Sequence, residues 1–414
     1  MKYFDNIIGY EHVKYELSKI IDCLNNKEKY EKLGVKTPKN LFLFGKAGVG
    51  KTLFASAFIE ALNRKKYIIR KTKSDGDFVY EINNVVLEAI DNAPSVVLLD
   101  DLDKFSNPDS EHRNTDEFIV VQSLIDECKD KDVYFVATAN YTDDMPLSLL
   151  RAGRFANKIE LEAPTLKDAK LIIKHYLSDK KVSEDVDCEE IAKILDGETC
   201  ALLEDVLNEA GIIAGFNNKD IIDMDDIIEA VLRVMYEAPQ NFEDKTKEEL
   251  ETAAYHEAGH AIVAEALEAG TVNLVSITNY FGGAGGLTSV TNDENYWIDF
   301  NKMENRIIVL LAGKAATEVM LGKIDVGCCV DLTRARRILN RFYDTYGVYD
   351  FRVTVRDSGP NALNYRDEWI YNKLNEYYAK AKEIIFNNKD KIYKLIDYLI
   401  IYKIISRKEL KSLI

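Results

Sequence analysis

Cysteine is scarce in this chain. Only six of its 414 residues are cysteines, and only Cys328 and Cys329 are neighbours in the sequence. Small secreted domains held by disulfides use cysteine much more densely, so a disulfide framework is excluded. The pattern predicts a reducing compartment, the cytoplasm.

Long hydrophobic runs are missing too. A membrane-spanning helix needs about 18 to 20 consecutive apolar residues, and the longest candidate, Leu395–Ile405, is interrupted by Asp397 and Lys403. The opening residues Met1–Asp5 also lack the pattern of a signal peptide. We therefore predict that this chain has no membrane span.

An excess of basic residues is absent as well. The chain has 70 acidic and 54 basic residues, and its formal net charge is −16. Nucleic-acid-binding proteins usually carry a basic face. The composition therefore argues against nucleic acid as a partner.

The first 180 residues alternate between strand and helix patterns. Short apolar runs predict buried strands at Leu41–Phe44, Ser95–Leu99 and Val133–Ala137, and Thr52–Leu62 has the pattern of a helix. This alternation predicts an α/β domain with a parallel sheet covered by helices on both faces.

The remaining sequence is mostly helical in pattern. We predict a helical lid over residues 181–240, a linker at Glu237–Asn241 and a mostly α-helical domain over 246–414. The pair Thr246 and Glu249 predicts a capping box at the start of that domain's first helix, which we expect to run through Ala269.

A glycine-rich segment stands between the first predicted strand and the helix after it. Its sequence, Gly45-Lys46-Ala47-Gly48-Val49-Gly50-Lys51-Thr52, fits the phosphate-binding pattern G-x-x-x-x-G-K-[ST]. Glycines let several backbone N–H groups point at one phosphate, and the N-terminal end of the helix adds positive charge. We predict an ATP site in which Lys51 reaches the β- and γ-phosphates and Thr52 binds Mg²⁺.

Two acids follow the second predicted strand. Asp100 is expected to bind in the Mg²⁺ shell, and Asp101 to orient the water that attacks ATP. An apolar run followed by two acids is a weak signal by itself. The nearby phosphate-binding segment strengthens it.

A second motif, His256-Glu257-Ala258-Gly259-His260, fits the zinc-hydrolase pattern H-E-x-x-H. Residues four apart share one face of a helix, so the two imidazoles can bind one metal ion. Glu257 can accept a proton from the attacking water and pass it to the leaving amine. Gly259 weakens the helix by about 1 kcal/mol relative to Ala, which a close approach of another backbone would explain.

The residues alone leave the third metal ligand open. Asp331 stands before a predicted helix and is also explained as an N-cap. Cys328 and Cys329 are the alternatives, because zinc binds thiolates well.

The order of motifs in the first half resembles the AAA+ ATPases. The resemblance implies that Asn140 senses the γ-phosphate, that Arg151 and Arg154 are arginine fingers acting on a neighbouring subunit, and that Ile8–Gly9 packs against adenine. Gly197–Ala201 matches the second sensor region more loosely. Fingers that act between subunits imply a ring, usually a homo-hexamer. The implied contacts to the nucleotide are Gly45, Ala47, Gly48, Val49, Gly50, Lys51, Thr52 and Leu53.

The segment Ala254–Ala261 resembles the peptidase helix of the FtsH-type ATP-dependent zinc metalloproteases, and Gly327–Leu332 matches the segment that carries their third ligand. The resemblance covers nearly the whole chain and implies zinc bound by His256, His260 and Asp331. It implies that ATP hydrolysis moves protein substrates to a zinc peptidase. Glu318 lies on a preceding helix, where it either supports a ligand or faces solvent.

The chain departs from that family in three respects. The usual transmembrane helices are missing, and the usual Glu after the second strand is Asp101, which predicts slower ATP turnover. The substrate-gripping pore segment near Ser74–Glu81 is short. Phe78 is its candidate aromatic, unless it packs beneath the sheet.

The glycine run Gly282–Gly286 precedes a predicted edge strand at Leu287–Val290. Such an edge can bind an extended peptide as an added strand, although a simple hairpin also explains the pattern. Two other functions stay open. One is an ATP-driven protein remodeller with a structural zinc helix, and the other is a nucleotide-gated binding module with negligible turnover.

Overall fold

The computed structural model describes residues 2–72, 77–105, 116–142, 145–151, 153–236, 246–278, 285–291, 299–323, 326–348 and 360–414. Two compact units divide the chain: Met1–Val182 with Gly197–Asn208, and Ser183–Asp196 with Glu209–Ile414. The predicted linker Glu237–Asn241 lies outside the described residues. The predicted boundaries 1–180, 181–240 and 246–414 stay a prediction.

The first unit alternates strands and helices. In chain order they are α1 (Glu11–Asn25), α2 (Lys27–Glu31), β1 (Asn40–Phe44), α3 (Lys51–Leu62), β2 (Lys65–Arg70), α4 (Phe78–Asp91), β3 (Ser95–Asp100), α5 (Asp116–Glu127), β4 (Val133–Ala139), β5 (Asn157–Glu160) and α6 (Leu166–Leu177). The strands form a parallel sheet in the order β2-β3-β4-β1-β5. The predicted α/β fold is confirmed.

The three predicted strands are the central strands of this sheet. Every residue of β3 and β4 is buried, and so are Leu41, Phe42 and Leu43 of β1. Strands covered on both faces have continuous apolar sequences, which is why they could be predicted. Their carboxyl ends lie along one edge of the sheet, where ligands bind in open α/β sheets.

The second unit contains α7 (Cys188–Ile194) and α9 (Met224–Tyr236), helix α8 (Cys200–Phe216) is divided between the two units, and further elements follow along the chain. These are α10 (Lys247–Leu267), β6 (Val272–Ser276), β7 (Leu287–Val290), α11 (Phe300–Leu321), α12 (Cys329–Asp344), α13 (Pro360–Asn387), α14 (Lys389–Tyr402), β8 (Ile404–Ser406) and α15 (Arg407–Leu413). The strands pair antiparallel in the order β7-β6-β8. The mostly helical character predicted for 246–414 is confirmed.

Helices α10 and α11 approach each other closely at Gly259. A Cβ atom at this position would lie 2.5 Å from Ala316 Cβ and 2.8 Å from Ala312 O. The close approach expected for Gly259 is therefore confirmed. The predicted capping box of Thr246 and Glu249 is also present, while α10 ends at Leu267 rather than Ala269.

No helix in the described part of the chain is both long enough and apolar enough to cross a bilayer. The apolar stretch Leu395–Ile405 belongs to two elements. Helix α14 ends at Tyr402, Lys403 adopts a left-handed φ of 66°, and Ile405 lies on β8.

Candidate active sites

The glycine-rich segment wraps around the carboxyl end of β1 and leads into α3. Gly48 and Gly50 have φ values of 82° and 94°, a backbone region that residues other than glycine rarely adopt. The backbone N–H of Ala201 donates to Gly48 O at 3.0 Å. The predicted second sensor region therefore lies against this loop.

Lys51 is buried at the start of α3, and its ammonium group has three partners. Nζ donates to Gly45 O at 2.8 Å, to Lys46 O at 2.8 Å and to Asn140 Oδ1 at 2.9 Å. Burial lowers the pKa of Lys51, and the charges of Asp101 and Asp103 oppose that shift. The predicted lysine and sensor asparagine are thus brought together.

Asp100 is buried at the end of β3 and is already paired. Its Oδ1 accepts from Thr138 Oγ1 at 2.7 Å, and its Oδ2 accepts from Arg70 Nε at 2.9 Å. Arg70 ends the neighbouring strand β2, in register with Asp100. The cation over this carboxylate was not predicted from the sequence.

Asp101 is also paired with a cation. Its Oδ2 lies 2.7 Å from Lys104 Nζ, and its backbone N–H donates to Thr138 Oγ1 at 2.9 Å. Its φ of 55° is left-handed, a conformation that Asp enters more readily than most residues. Next to it, Asp103 Oδ2 accepts from Asn140 Nδ2 at 3.2 Å.

The other predicted nucleotide contacts are more dispersed. Ile8 and Gly9 line a cavity of about 670 Å³ whose walls come from the N-terminal segment, α1 and α6. Val49 is buried, whereas Ala47 and the first-turn residues Thr52 and Leu53 are exposed.

Three predicted metal ligands converge in the second unit. His256 and His260 lie one turn apart on α10, and Asp331 lies in the first turn of α12. The two Nε2 atoms are 3.0 Å apart, and each lies 3.5 Å from Asp331 Oδ2. Only 10–19% of each of these side chains is exposed.

These separations fit zinc. Atoms bound at about 2.0–2.1 Å to a tetrahedral zinc ion lie about 3.4 Å from one another. Two imidazoles and one carboxylate also leave a fourth position open, as catalytic zinc sites do. Among the described residues, neither Cys328 nor Cys329 joins the group.

Helix α11 supports this trio through its backbone. His260 Nδ1 lies 2.7 Å from Val309 O, a contact that leaves Nε2 directed at His256 and Asp331. A Cβ atom at Gly313 would lie 2.4 Å from His256 Nε2 and 2.6 Å from His260 Nε2. Sequence reasoning missed both α11 residues, because neither belongs to the H-E-x-x-H pattern.

The Asp331 carboxyl stays ionised beside the histidines. Burial favours its neutral form, but hydrogen bonds and charge from His256 and His260 outweigh burial and hold the pKa of Asp331 well below its ordinary value. An ionised carboxylate is the form that binds a metal ion.

Glu257 is buried on α10 between the two histidines, and strand β7 passes over its carboxylate. Thr288 Oγ1 lies 2.7 Å from Glu257 Oε2 and 3.1 Å from Glu257 O. A Cβ atom at Gly286 would lie 2.6 Å from Glu257 Oε1. The sequence predicted this strand as a peptide-binding edge, but it gave no sign of its contact with Glu257.

Comparison with known proteins matches both halves of the chain. Residues 243–413 match peptidase family M41, and residues 41–163 match the ATPase family associated with various cellular activities. The ATP-dependent zinc metalloprotease FtsH of Caldicellulosiruptor bescii is 30% identical over 99% of this chain and 72% of its own length. FtsH 2 of Thermoanaerobacter sp. (strain X514) is 29% identical over 99% of this chain and 82% of its own. The chain belongs to the FtsH family.

Membership of the FtsH family confirms the predicted enzyme class. The chain is an ATP-dependent zinc metalloprotease that acts on proteins, and its cofactors are Zn²⁺, ATP and Mg²⁺. The observed fold, a parallel α/β ATPase followed by a helical peptidase, agrees with this membership.

The two candidate arginine fingers of this FtsH-family chain differ. Arg154 donates to Ser148 O at 2.8 Å and pairs with Asp126 at 2.7 Å, which holds the pKa of Asp126 well below its usual range. Arg154 is thus engaged within its own chain, and its predicted role as a finger stays a prediction. Arg151 is exposed, and its side chain has no hydrogen bond or ion pair to another described residue.

Two expectations need correction. Phe78, the candidate pore aromatic, is buried and packs edge-on against Phe105 with ring centroids 4.9 Å apart, so it is a core residue. The adjoining predicted pore residues Ser74–Gly76 lie outside the described residues. Glu318 bonds to Lys382 and Tyr378 rather than to a metal ligand, because its position on α11 faces α13.

Proposed function

We propose that this FtsH-family chain cleaves polypeptides at the site formed by His256, His260 and Asp331, with Glu257 as the general base. The observation that carries the assignment is the convergence of three ligand atoms within 4.8 Å of one another, directly beside a buried glutamate. A structural metal site would not require that glutamate.

The residues divide the reaction between them. The histidines and Asp331 hold zinc, which when bound polarises the scissile carbonyl and activates the attacking water. Glu257 accepts a proton from that water and returns it to the leaving nitrogen. Strand β7 lies at an edge of its sheet within the described residues, and we propose that it receives the substrate as an added strand.

We assign ATP hydrolysis to the edge of the parallel sheet. Lys51 contacts the β- and γ-phosphates, Thr52 and Asp100 hold Mg²⁺, Asp101 orients the attacking water and Asn140 senses the γ-phosphate. Gly45–Leu53 and Ile8–Gly9 hold the nucleotide. The hydrogen bond between Lys51 and Asn140 supports this assignment, because it joins the phosphate loop to the strand that carries the sensor.

We further propose a homo-hexameric ring in which Arg151 reaches the nucleotide of the neighbouring subunit. Its exposure supports this role, whereas the pairing of Arg154 supports a role in holding that finger segment on α5. Residues 1–180 and 181–240 would form the ATPase core and its lid, and 246–414 the peptidase. The scarcity of cysteine supports a cytoplasmic location.

The test is cleavage of a fluorescently labelled, loosely folded protein by the full chain with zinc, with and without ATP. Glu257→Gln should retain zinc and lose about 10²–10⁴-fold in cleavage, because the base is gone. Lys51→Ala should lose only the ATP-dependent cleavage and still cut a short, unstructured peptide. If ATP is hydrolysed while neither substrate is cut, the chain is an ATP-driven protein remodeller with a structural zinc helix, and this proposal fails.

The ring has its own test in mixed assemblies. Arg151→Ala and Lys51→Ala subunits should each be inactive as ATPases when pure. Mixing them should restore part of the turnover, since an intact Arg151 from one subunit can then act on an intact loop in the next. Sedimentation should give the mass of six subunits. A monomer with full ATP turnover would contradict the ring.

A further inference from the structure

Strand β7 and the residue just before it touch the proposed base at two positions with a spacing of two. Residues i and i+2 of an extended strand face the same side, and accordingly both Gly286 and Thr288 lie against Glu257. By the same alternation Ser289 faces the other way. The strand therefore presents one face to the catalytic helix.

The two contacts treat the two carboxylate oxygens differently. Thr288 Oγ1 has a single proton, and both of its neighbours, Glu257 Oε2 and Glu257 O, are acceptors. The shorter contact, 2.7 Å, goes to the carboxylate, which is also the stronger acceptor, so the hydroxyl donates to Oε2. Oε1 lies instead beside Gly286, where the absence of a side chain leaves it room.

We propose that Thr288 is a positioning residue for the general base. Its hydroxyl holds Oε2 of Glu257, so that Oε1 is the oxygen that takes the proton from water. The water oxygen then bonds to the carbonyl carbon, the C–N bond breaks, and Oε1 delivers the proton to the leaving nitrogen. This inference rests on the proposed role of Glu257.

The position of Thr288 adds a link to substrate binding. Thr288 pairs with Val275 of β6 in the middle of the edge strand proposed to receive the peptide. Movement of β7 when a peptide joins it would therefore move the group that orients Glu257. Substrate binding and alignment of the base share one strand.

The test uses two substitutions that differ by the hydroxyl. Thr288→Val keeps the shape and the β-branched character suited to a strand, whereas Thr288→Ser keeps the hydroxyl. With a short unstructured peptide and the zinc-loaded full chain, Thr288→Val should lower kcat about tenfold and leave KM nearly unchanged. Thr288→Ser should stay within about threefold of the wild type. The lost hydrogen bond to a charged group accounts for this size of effect.

Two further measurements separate positioning from loss of structure. Zinc content should equal that of the wild type in both variants, and a peptide hydroxamate, which contacts both the metal and the base, should bind more weakly only to Thr288→Val. Thr271→Val, which removes an exposed threonine hydroxyl that donates to Glu268 O outside the site, is the matched control and should leave kcat unchanged.

Other results would contradict the role of Thr288 or that of the whole site. Unchanged kcat in Thr288→Val, or equal losses in the Val and Ser variants, would overturn the inference and leave the proposed function standing. A rise in KM with unchanged kcat would limit Thr288 to substrate binding. If the wild-type chain itself cuts no peptide, the proposed function fails and the inference fails with it.

Discussion

At the zinc site the ligand atoms of His256, His260 and Asp331 already converge, whereas at the ATP site each acid is held by a cation of the chain itself. Arg70 covers Asp100, and Lys104 covers Asp101. The zinc site needs only its ion. At the ATP site, the acids must exchange these cations for the ligand when Mg²⁺ and ATP bind.

Lys51 shows the same contrast within one side chain. An ammonium group has three N–H donors, and in this structure they meet three acceptors, Gly45 O, Lys46 O and Asn140 Oδ1. A phosphate can therefore bind Lys51 only if one of these contacts is released. Such an exchange of contacts suits a site that binds and releases nucleotide in every ATPase cycle. A metal site with fixed ligands suits repeated cleavage of the polypeptides that reach it.

The largest effect should follow from breaking the convergent site. Asp331→Asn keeps the volume but replaces the charged ligand with a neutral amide, so the protein should lose zinc on dialysis, and peptide cleavage with it. Cys329→Ser is the control, since Cys329 is exposed and outside the ligand group. Metal analysis of both proteins decides the matter, and a zinc-retaining Asp331→Asn would contradict the assignment.

Gly313→Ala should damage the same site from the other side. The added methyl would lie within 2.4–2.6 Å of both imidazole Nε2 atoms and displace them from the metal position. We expect weaker zinc binding by about 10–100-fold, as for other changes that disturb ligand orientation, measured by competition with a chelating dye. Gly322→Ala is the control for loss of helix stability, because φ at Gly322 is 67° and an alanine there strains the C-terminal end of α11 away from the metal site. Equal zinc affinity in Gly313→Ala and the wild type would show that α11 can move aside.

Arg70→Ala should remove the cation that covers Asp100, so that this carboxylate, like the zinc ligands, has no competing cation of the chain beside it. With Asp100 uncovered, half-saturation of ATP-analogue binding should need about threefold less Mg²⁺, because a partly exposed ion pair contributes about 0.2–1 kcal/mol. Lys66→Ala removes one charge from an exposed position of the same strand and is the control. A higher Mg²⁺ requirement in Arg70→Ala would mean that Arg70 helps to bind the nucleotide.

A similarly small change should come from Asp101→Glu. The longer side chain reaches further towards the attacking water, and we expect ATP turnover to rise on the order of threefold, which corresponds to ~0.7 kcal/mol of barrier. The left-handed backbone at this position favours Asp, so the melting temperature should fall slightly. Asp103→Glu lengthens the neighbouring acid and is the control. If Asp101→Glu is no faster, the short side chain does not limit turnover.

What the sequence could predict depended on local patterns. The central strands could be predicted because they are apolar throughout. The pairing of the two histidines could be predicted because a helix places positions four apart on one face. The edge strands β2 and β5 were missed, since exposed charged residues such as Lys66 and Lys158 break the apolar run. Asp331 was selected only by family resemblance.

The remaining features depend on contacts between residues far apart in the sequence. Nothing near Thr288 indicates Glu257, and nothing near Asp126 indicates Arg154. The burial of Phe78 likewise follows from how α4 packs against Phe105. Such pairings are set by tertiary packing, which composition and periodicity do not encode.

The order of the metal ligands along the chain bears on when proteolysis can begin. During synthesis, the α10 residues His256 and His260 leave the ribosome about 70 residues ahead of Asp331. At a synthesis rate of about 5–20 residues per second, this delay lasts about 4–14 s. The ATPase sheet is complete before that interval starts. A nascent chain therefore carries no finished peptidase site until α12 has emerged, so before that point a growing copy cannot cut itself or a neighbouring chain.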